Sequence, residues 1–115
     1  MIKKEIDQDV ETRDNMRGGT GSVTIRHYFS KQEINASCRL CAELTLPPQT
    51  SIGKHEHTNE DEIFIVQHGT GIMSVDEKEI EVKKGDAILT GKGAAHAIKN
   101  VGAEKLVITA LIMLY

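Results

Sequence analysis

From Val23 onward, apolar and polar positions alternate with a period of two along most of the chain, the pattern of half-buried β-strands. In SVTIRHYF, Val23, Ile25, His27 and Phe29 share one face, with Thr24, Arg26 and Tyr28 on the other. Leu40, Ala42, Leu44 and Leu46 share a face in the next run, which ends at Pro47-Pro48. Seven short runs follow: SIGKHEH, EIFIVQ, GIMSV, KEIEV, DAILT, HAIKNV and KLVITALIML. Turn signals separate them, among them His68-Gly69-Thr70-Gly71, Asp76-Glu77-Lys78, Lys84-Gly85-Asp86 and Asn100-Val101-Gly102. Many short strands without a helical stripe predict an all-β sandwich or barrel over residues 22–115. Residues 1–21 are polar and end in MRGGTGS, which predicts an N-terminal arm and a flexible glycine-rich hinge. The last run, LVITALIML, is apolar on both parities and calls for cover on both faces. That cover is either the core of the same chain or a second subunit.

At 115 residues the chain suits one domain that needs no disulfide staple. Aromatic residues make up only 3%, with no Trp, so Ile, Val, Leu and Ala must build the core. A net charge of −3 argues against a nucleic-acid partner, which would draw on clustered Lys and Arg. No apolar run is long enough to span a membrane as a helix, and the charged start has no signal-peptide pattern. The expected location is therefore the cytoplasm. Cys38 and Cys41 form C-x-x-C on a predicted strand, where residues three apart face opposite ways, so two reduced thiols are expected. Gly18, Gly19 and Gly21 lack the ending of a phosphate-binding loop.

The candidate chemistry lies in four side chains. His55 and His57 stand two apart on a β segment, so both imidazoles leave the same face. A rise of about 3.3 Å per residue sets their Cα atoms about 6.6 Å apart, close enough to converge on one ion. Glu56 points the other way. A carboxylate from the acidic stretch that follows can complete the set, but Glu60 and Glu62 share a parity and parity does not separate them. His96, after Gly91-Lys92-Gly93, supplies a further donor. The H-x-H pair alone is a weak signal among five histidines.

The wider spacing is more specific. The chain reads His55-x-His57, four residues, Glu62, six residues, Gly69. It then reads Gly85, five residues, Gly91-x-Gly93, two residues, His96, three residues, Asn100. These offsets resemble the two motifs of the cupin family, with Gln49 where the first motif usually has Gly and Gly91 where the second has Pro. The resemblance selects Glu62 over Glu60. It implies a double-stranded β-helix, a jelly-roll barrel, holding one divalent ion (Mn, Fe, Ni, Co or Zn) on His55, His57, Glu62 and His96 near one mouth.

Such an ion keeps positions open for a small oxygen-rich ligand such as a carboxylate. The resemblance thus points to a metalloenzyme of dioxygenase, decarboxylase or isomerase type. A non-enzymatic ligand-binding or sensor module is the alternative, and a purely structural ion comes third. Arg26, His27, Tyr28, Arg39 and His68 are the candidate ligand contacts. Arg26 and Tyr28 share what reads equally as a solvent face, His27 sits among core positions, and His68 borders a turn. A homodimer is expected, partly from the two-sided apolar C-terminal strand and partly from the habit of small cupins.

Overall fold

Ten strands carry the chain: β1 Asp9–Asp14, β2 Ser22–His27, β3 Cys38–Leu46, β4 Ser51–Glu56, β5 Glu60–His68, β6 Thr70–Val75, β7 Lys78–Lys83, β8 Ala87–Thr90, β9 Ala95–Lys99 and β10 Leu106–Leu114. The computed structural model describes residues 1–115, and its longer elements are all strands. They form two antiparallel sheets, ordered β1-β2-β3-β10-β5-β8 and β4-β9-β6-β7. This is the double-stranded β-helix expected from the motifs. Each run of alternating residues named above became one of β2 to β10.

The inward parity of both sheets meets in one core of 14 residues, including Ile25, Leu44, Leu46, Ile52, Phe64, Ile98, Leu106 and Ile108. Phe64 is its only aromatic member, as the composition requires. Each such side chain contributes about 1.5–3 kcal/mol by leaving water. Strand β10 lies between β3 and β5, which accounts for its inward parity: Leu106, Ile108, Ala110 and Ile112 are buried within this chain. On its other face Met113 is 38% exposed, so no element of this chain covers that side there.

The N-terminal segment differs from a plain arm. Asp9–Asp14 pairs with β2 from Asp9↔His27 to Asp14↔Ser22, adding an edge strand to the larger sheet. Its burial is one-sided and slight, so the period-two signal is lost among charged residues. Nor is the glycine run a free hinge. Ser51 N–H donates to Thr20 O at 2.9 Å, and Thr20 N–H donates to Ser51 Oγ at 2.9 Å, stitching the β1–β2 connection to β4. A Cβ on Gly19 would strike the Ser51 carbonyl, and one on Gly53 would strike the Arg17 carbonyl. These glycines permit close backbone approach.

The unusual Gln49 explains itself in the same terms. Its φ is 63°, the left-handed region that glycine enters freely. The side chain costs about 1–2 kcal/mol there, and glycine's greater freedom in the unfolded chain offsets part of that. Gln49→Gly is therefore expected to stabilise the protein by about 0.5–1 kcal/mol, raising Tm by a few degrees. A thermal melt showing a lower Tm would mean that the glutamine side chain holds the turn.

Candidate metal centre

Strand β4 carries His55 into the barrel only because it is irregular. Ile52 and His55 both face inward although three residues apart, and the ladder with β9 shifts register between them. This bulge reverses the parity at Gly53–Lys54. Past it, His55 is the antiparallel partner of His96 on β9, and His57 follows two residues later. Glu62 comes from β5 in the opposite sheet, beside Thr90 and Ile112. Two imidazoles from one sheet, and a third just past the end of β4, thus face one carboxylate from the other sheet.

Their reactive atoms meet at a point. His96 Nε2 lies 2.9 Å from His57 Nε2 and 3.1 Å from His55 Nε2. Glu62 Oε1 lies 3.0 Å from His57 Nε2 and 2.9 Å from His96 Nε2. The outer ring nitrogens fix two of the three tautomers. His55 Nδ1 donates to the Gly53 carbonyl at 2.7 Å, and that oxygen can only accept. His57 Nδ1 donates to Glu60 Oε2 at 2.5 Å, and His96 Nδ1 contacts Thr90 Oγ1 at 2.9 Å. With the protons on Nδ1 of His55 and His57, their Nε2 lone pairs point inward toward His96 Nε2.

Glu62 Oε1 is consequently buried without a hydrogen-bond partner, despite two nitrogens at contact distance. Electron-rich atoms facing one another in a buried pocket are unfavourable unless a cation sits among them. Burial also favours the neutral form of two of the imidazoles: it pushes His96 down to about 4 and lowers His55, while it raises Glu62. Neutral imidazole is the ligating form. Spacing supports the fit as well. Bonds of about 2.1 Å separate neighbouring donors by about 3.0 Å in an octahedron and about 3.4 Å in a tetrahedron. Four of the donor separations are 2.9–3.1 Å and all four donors lie within 4.8 Å of one another, close enough to share one ion.

Glu60 has a different place from Glu62. Its carboxylate accepts from Arg39 Nε at 2.8 Å and Arg39 Nη2 at 2.7 Å as well as from His57. The Arg39 guanidinium, aided by His57, holds it down to about 2. It therefore orients His57 from behind. The shared parity was real, since both glutamates are buried and point inward; one reaches the cluster and the other its supporting layer. Phe64 stacks on His96 with ring centroids 5.1 Å apart, forming the apolar wall.

A cavity of about 120 Å³ leads to the cluster, lined by Arg13, Arg17, His27, Arg39, His55 and Phe64 among others. A larger cleft of about 650 Å³ between β6–β7 and β8 contains none of the four. Of the candidate contacts, His27 and Arg39 line the smaller cavity. His27 Nε2 meets Glu11 Oε2 at 2.7 Å, which helps hold the Glu11 carboxyl below its usual range. Arg26 and Tyr28 lie on the outer face, where Arg26 bonds Gln8 and Glu43 and sits over the Tyr28 ring. His68 is exposed, 3.4 Å from Glu104, at the far end of β5. Arg13 and Arg17 carried no sequence signal as site residues, because their segment read as an arm. Cys38 and Cys41 are free, half-buried thiols, and burial raises the Cys41 thiol.

Comparison with known proteins agrees with this architecture. Residues 42–113 match the family described as the cupin domain. An oxalate-binding protein of Thermotoga maritima is 36% identical over 114 residues, 99% of this chain and 94% of that protein. A crystal structure of a predicted oxalate decarboxylase from Thermotoga maritima superposes with a TM-score of 0.95, at 36% identity and full coverage of both chains. A cupin domain from Schizosaccharomyces pombe shares the fold at 13% identity and a TM-score of 0.74, covering 91% of this chain and 69% of that one. With its motif offsets, sheet order and sequence relatives in agreement, the chain belongs to the cupin family.

Proposed function

We propose that the protein binds one divalent transition-metal ion through His55, His57, Glu62 and His96 and uses it to hold a small dicarboxylate of the oxalate type. The unpartnered buried Glu62 oxygen, beside the Nε2 atoms of His57 and His96 with His55 Nε2 next to them, carries this reading. Three neutral imidazoles and one carboxylate leave a divalent ion near +1, and four donors leave two positions on an octahedral ion. Two adjacent positions suit a bidentate oxygen ligand. Such a donor set accommodates Mn, Fe, Co, Ni or Zn. The cavity of about 120 Å³ is well below the ~300–1,000 Å³ of drug-sized sites, as fits a small acid. The T. maritima relatives, named for oxalate, support the same ligand class.

Binding without turnover is the reading the lining favours. Apart from Glu62 itself, no carboxyl group lines the cavity to shuttle a proton. Catalysis of decarboxylase, dioxygenase or isomerase type is the second reading. It is supported by His27, which lines the cavity and is paired to Glu11, the one proton-carrying group available beside the cluster. The ion would then supply Lewis-acid or redox chemistry, and His27 would hold or deliver the proton.

The expected result is about one ion per chain after purification without chelator. Calorimetry should show oxalate binding at about micromolar Kd to the metal-loaded protein and none after chelation. Oxalate binding that is indifferent to the metal would overturn the reading. Release of carbon dioxide from oxalate would establish the catalytic version.

Assembly and location extend the proposal. Cys41, Leu111, Ile63 and Leu89 lie in register across four strands on the outer face of the larger sheet. A row of apolar side chains on such a face supports a homodimer through it, and six strands about 4.8 Å apart offer roughly the 800 Å² per partner that stable interfaces use. Sedimentation should give twice the chain mass, and Leu111→Glu half of that. Two unpaired thiols suit a reducing compartment such as the cytoplasm. No helix is long and apolar enough to cross a membrane.

A further inference from the structure

The β1–β2 connection does more than join two strands. It leaves β1, at the edge of the larger sheet, and is stitched to β4, at the edge of the smaller one. It thereby spans the gap between the sheets beside the cavity, and Met16 and Arg17 form part of the cavity lining. Its seat on β4 requires glycine on both sides, at Gly19 and Gly53, since any side chain there would meet backbone.

Arg17 itself is strained. Its φ is 55°, with Asn15 at 49° and Gly18 at 80° in the same turn. Asparagine and glycine tolerate the left-handed region; arginine gains nothing from it locally. A glycine would relieve the backbone, yet the chain places its glycines at 18, 19 and 21 and a guanidinium at 17. Other non-glycine residues, Gln49, Glu77 and Lys92 among them, also hold positive φ; what sets Arg17 apart is that its strained position lines the cavity.

The charges around the mouth differ in availability. Arg39 is neutralised by the two oxygens of Glu60, and Arg13 is paired with Glu11 at 2.7 Å. Arg17 has no carboxylate partner, so its charge is free for a ligand. We propose that the Asn15–Gly19 turn is a selectivity cap, in which Arg17 receives the outward-facing oxygens of a dicarboxylate dianion held at the cluster. A charge-assisted pair of this kind discriminates a dianion from a monoanion of similar size, because the latter leaves Arg17 unengaged.

The inference rests on metal-dependent carboxylate binding, and the test separates the two. Full-length protein loaded with Mn(II) is titrated with oxalate and with acetate, for the wild type, Arg17→Gln and Arg17→Gly. Arg17→Gln should weaken oxalate about 10- to 100-fold and acetate less than about threefold, with metal content unchanged. Arg17→Gly should lose oxalate to the same extent while raising Tm, because it removes the strained backbone. A merely structural role for Arg17 would not separate affinity from stability in this way. If the wild type binds oxalate and Arg17→Gln binds it within about twofold, the cap fails and the metal reading stands. If the metal-loaded wild type binds no oxalate, both fail.

Discussion

Replacing His57 and His96 together with alanine will give a folded protein that retains less than about a tenth of an ion per chain. Two of four donors are lost, and those remaining, His55 and Glu62, come from opposite sheets. Both histidines are buried, but the fold should survive because the 14-residue apolar core and the strand pairing remain intact. The cost of lost packing, including the stack on Phe64, is offset in part by removing lone pairs that face one another. Stability then divides by metal. At a thousandfold excess of ion over Kd the wild type gains about 4 kcal/mol, and the variant gains nothing. Melts with and without added metal read this directly. A metal-dependent rise in Tm persisting in the double variant would place the ion elsewhere.

Glu60→Gln tests the layer behind the ligands. The amide loses the charge that balances Arg39, and its NH₂ group can face His57 Nδ1 and disfavour the ligating tautomer. Metal affinity should fall about 10- to 100-fold, as for other supports of a ligating histidine. Stability of the metal-free protein should fall by about 1–3 kcal/mol near neutral pH. The pH dependence carries a definite sign. The Glu60 carboxyl moves down from 4.5 to about 2 on folding, so the unfolded chain binds more protons between those values. Its contribution is fully present above pH 4.5 and is lost as pH falls toward 2. The wild-type advantage over Glu60→Gln should therefore be level above pH 4.5 and shrink below it. Denaturant titrations at several pH values, without metal, measure the difference. A gap that stays constant down to pH 2 would show that the Arg39–Glu60 pair is not its source.

The strands and the convergence of four donors were legible because both depend on fixed spacing. Alternation survives wherever one face is buried, as from Ala42 to Leu46 in β3 and from Glu60 to Val66 in β5. The distance from His57 to Glu62 and on to His96 was interpretable only against a family pattern, because nothing local links residues that far apart. β1 was illegible for the converse reason: an edge strand with little cover has no apolar face to reveal it. The glycine run misled because glycine serves flexibility and close approach alike, and a neighbour such as Gly53 distinguishes them only once the chain is folded. The bulge after Ile52 is similar. Strict alternation would have set His55 on the opposite face from Ile52, and the register shift that reverses this shows only in the ladder with β9.

The sheet order leaves one side of the barrel framed by unpaired strands, β7 and β8. Exposed backbone amides of this kind can template fibrils when copies crowd together. The chain counters this in two ways. β8 is only four residues long, too short to recruit a stable partner. β7 carries Lys78, Glu79, Glu81 and Lys83 among its six positions, so a strand adding there would have to strip water from a row of charges. Colloidal stability on this side of the molecule is thus concentrated on the outermost strand of one hairpin, which contributes none of the four donors, where neutralising a few side chains would invite polymerisation while leaving the donors in place.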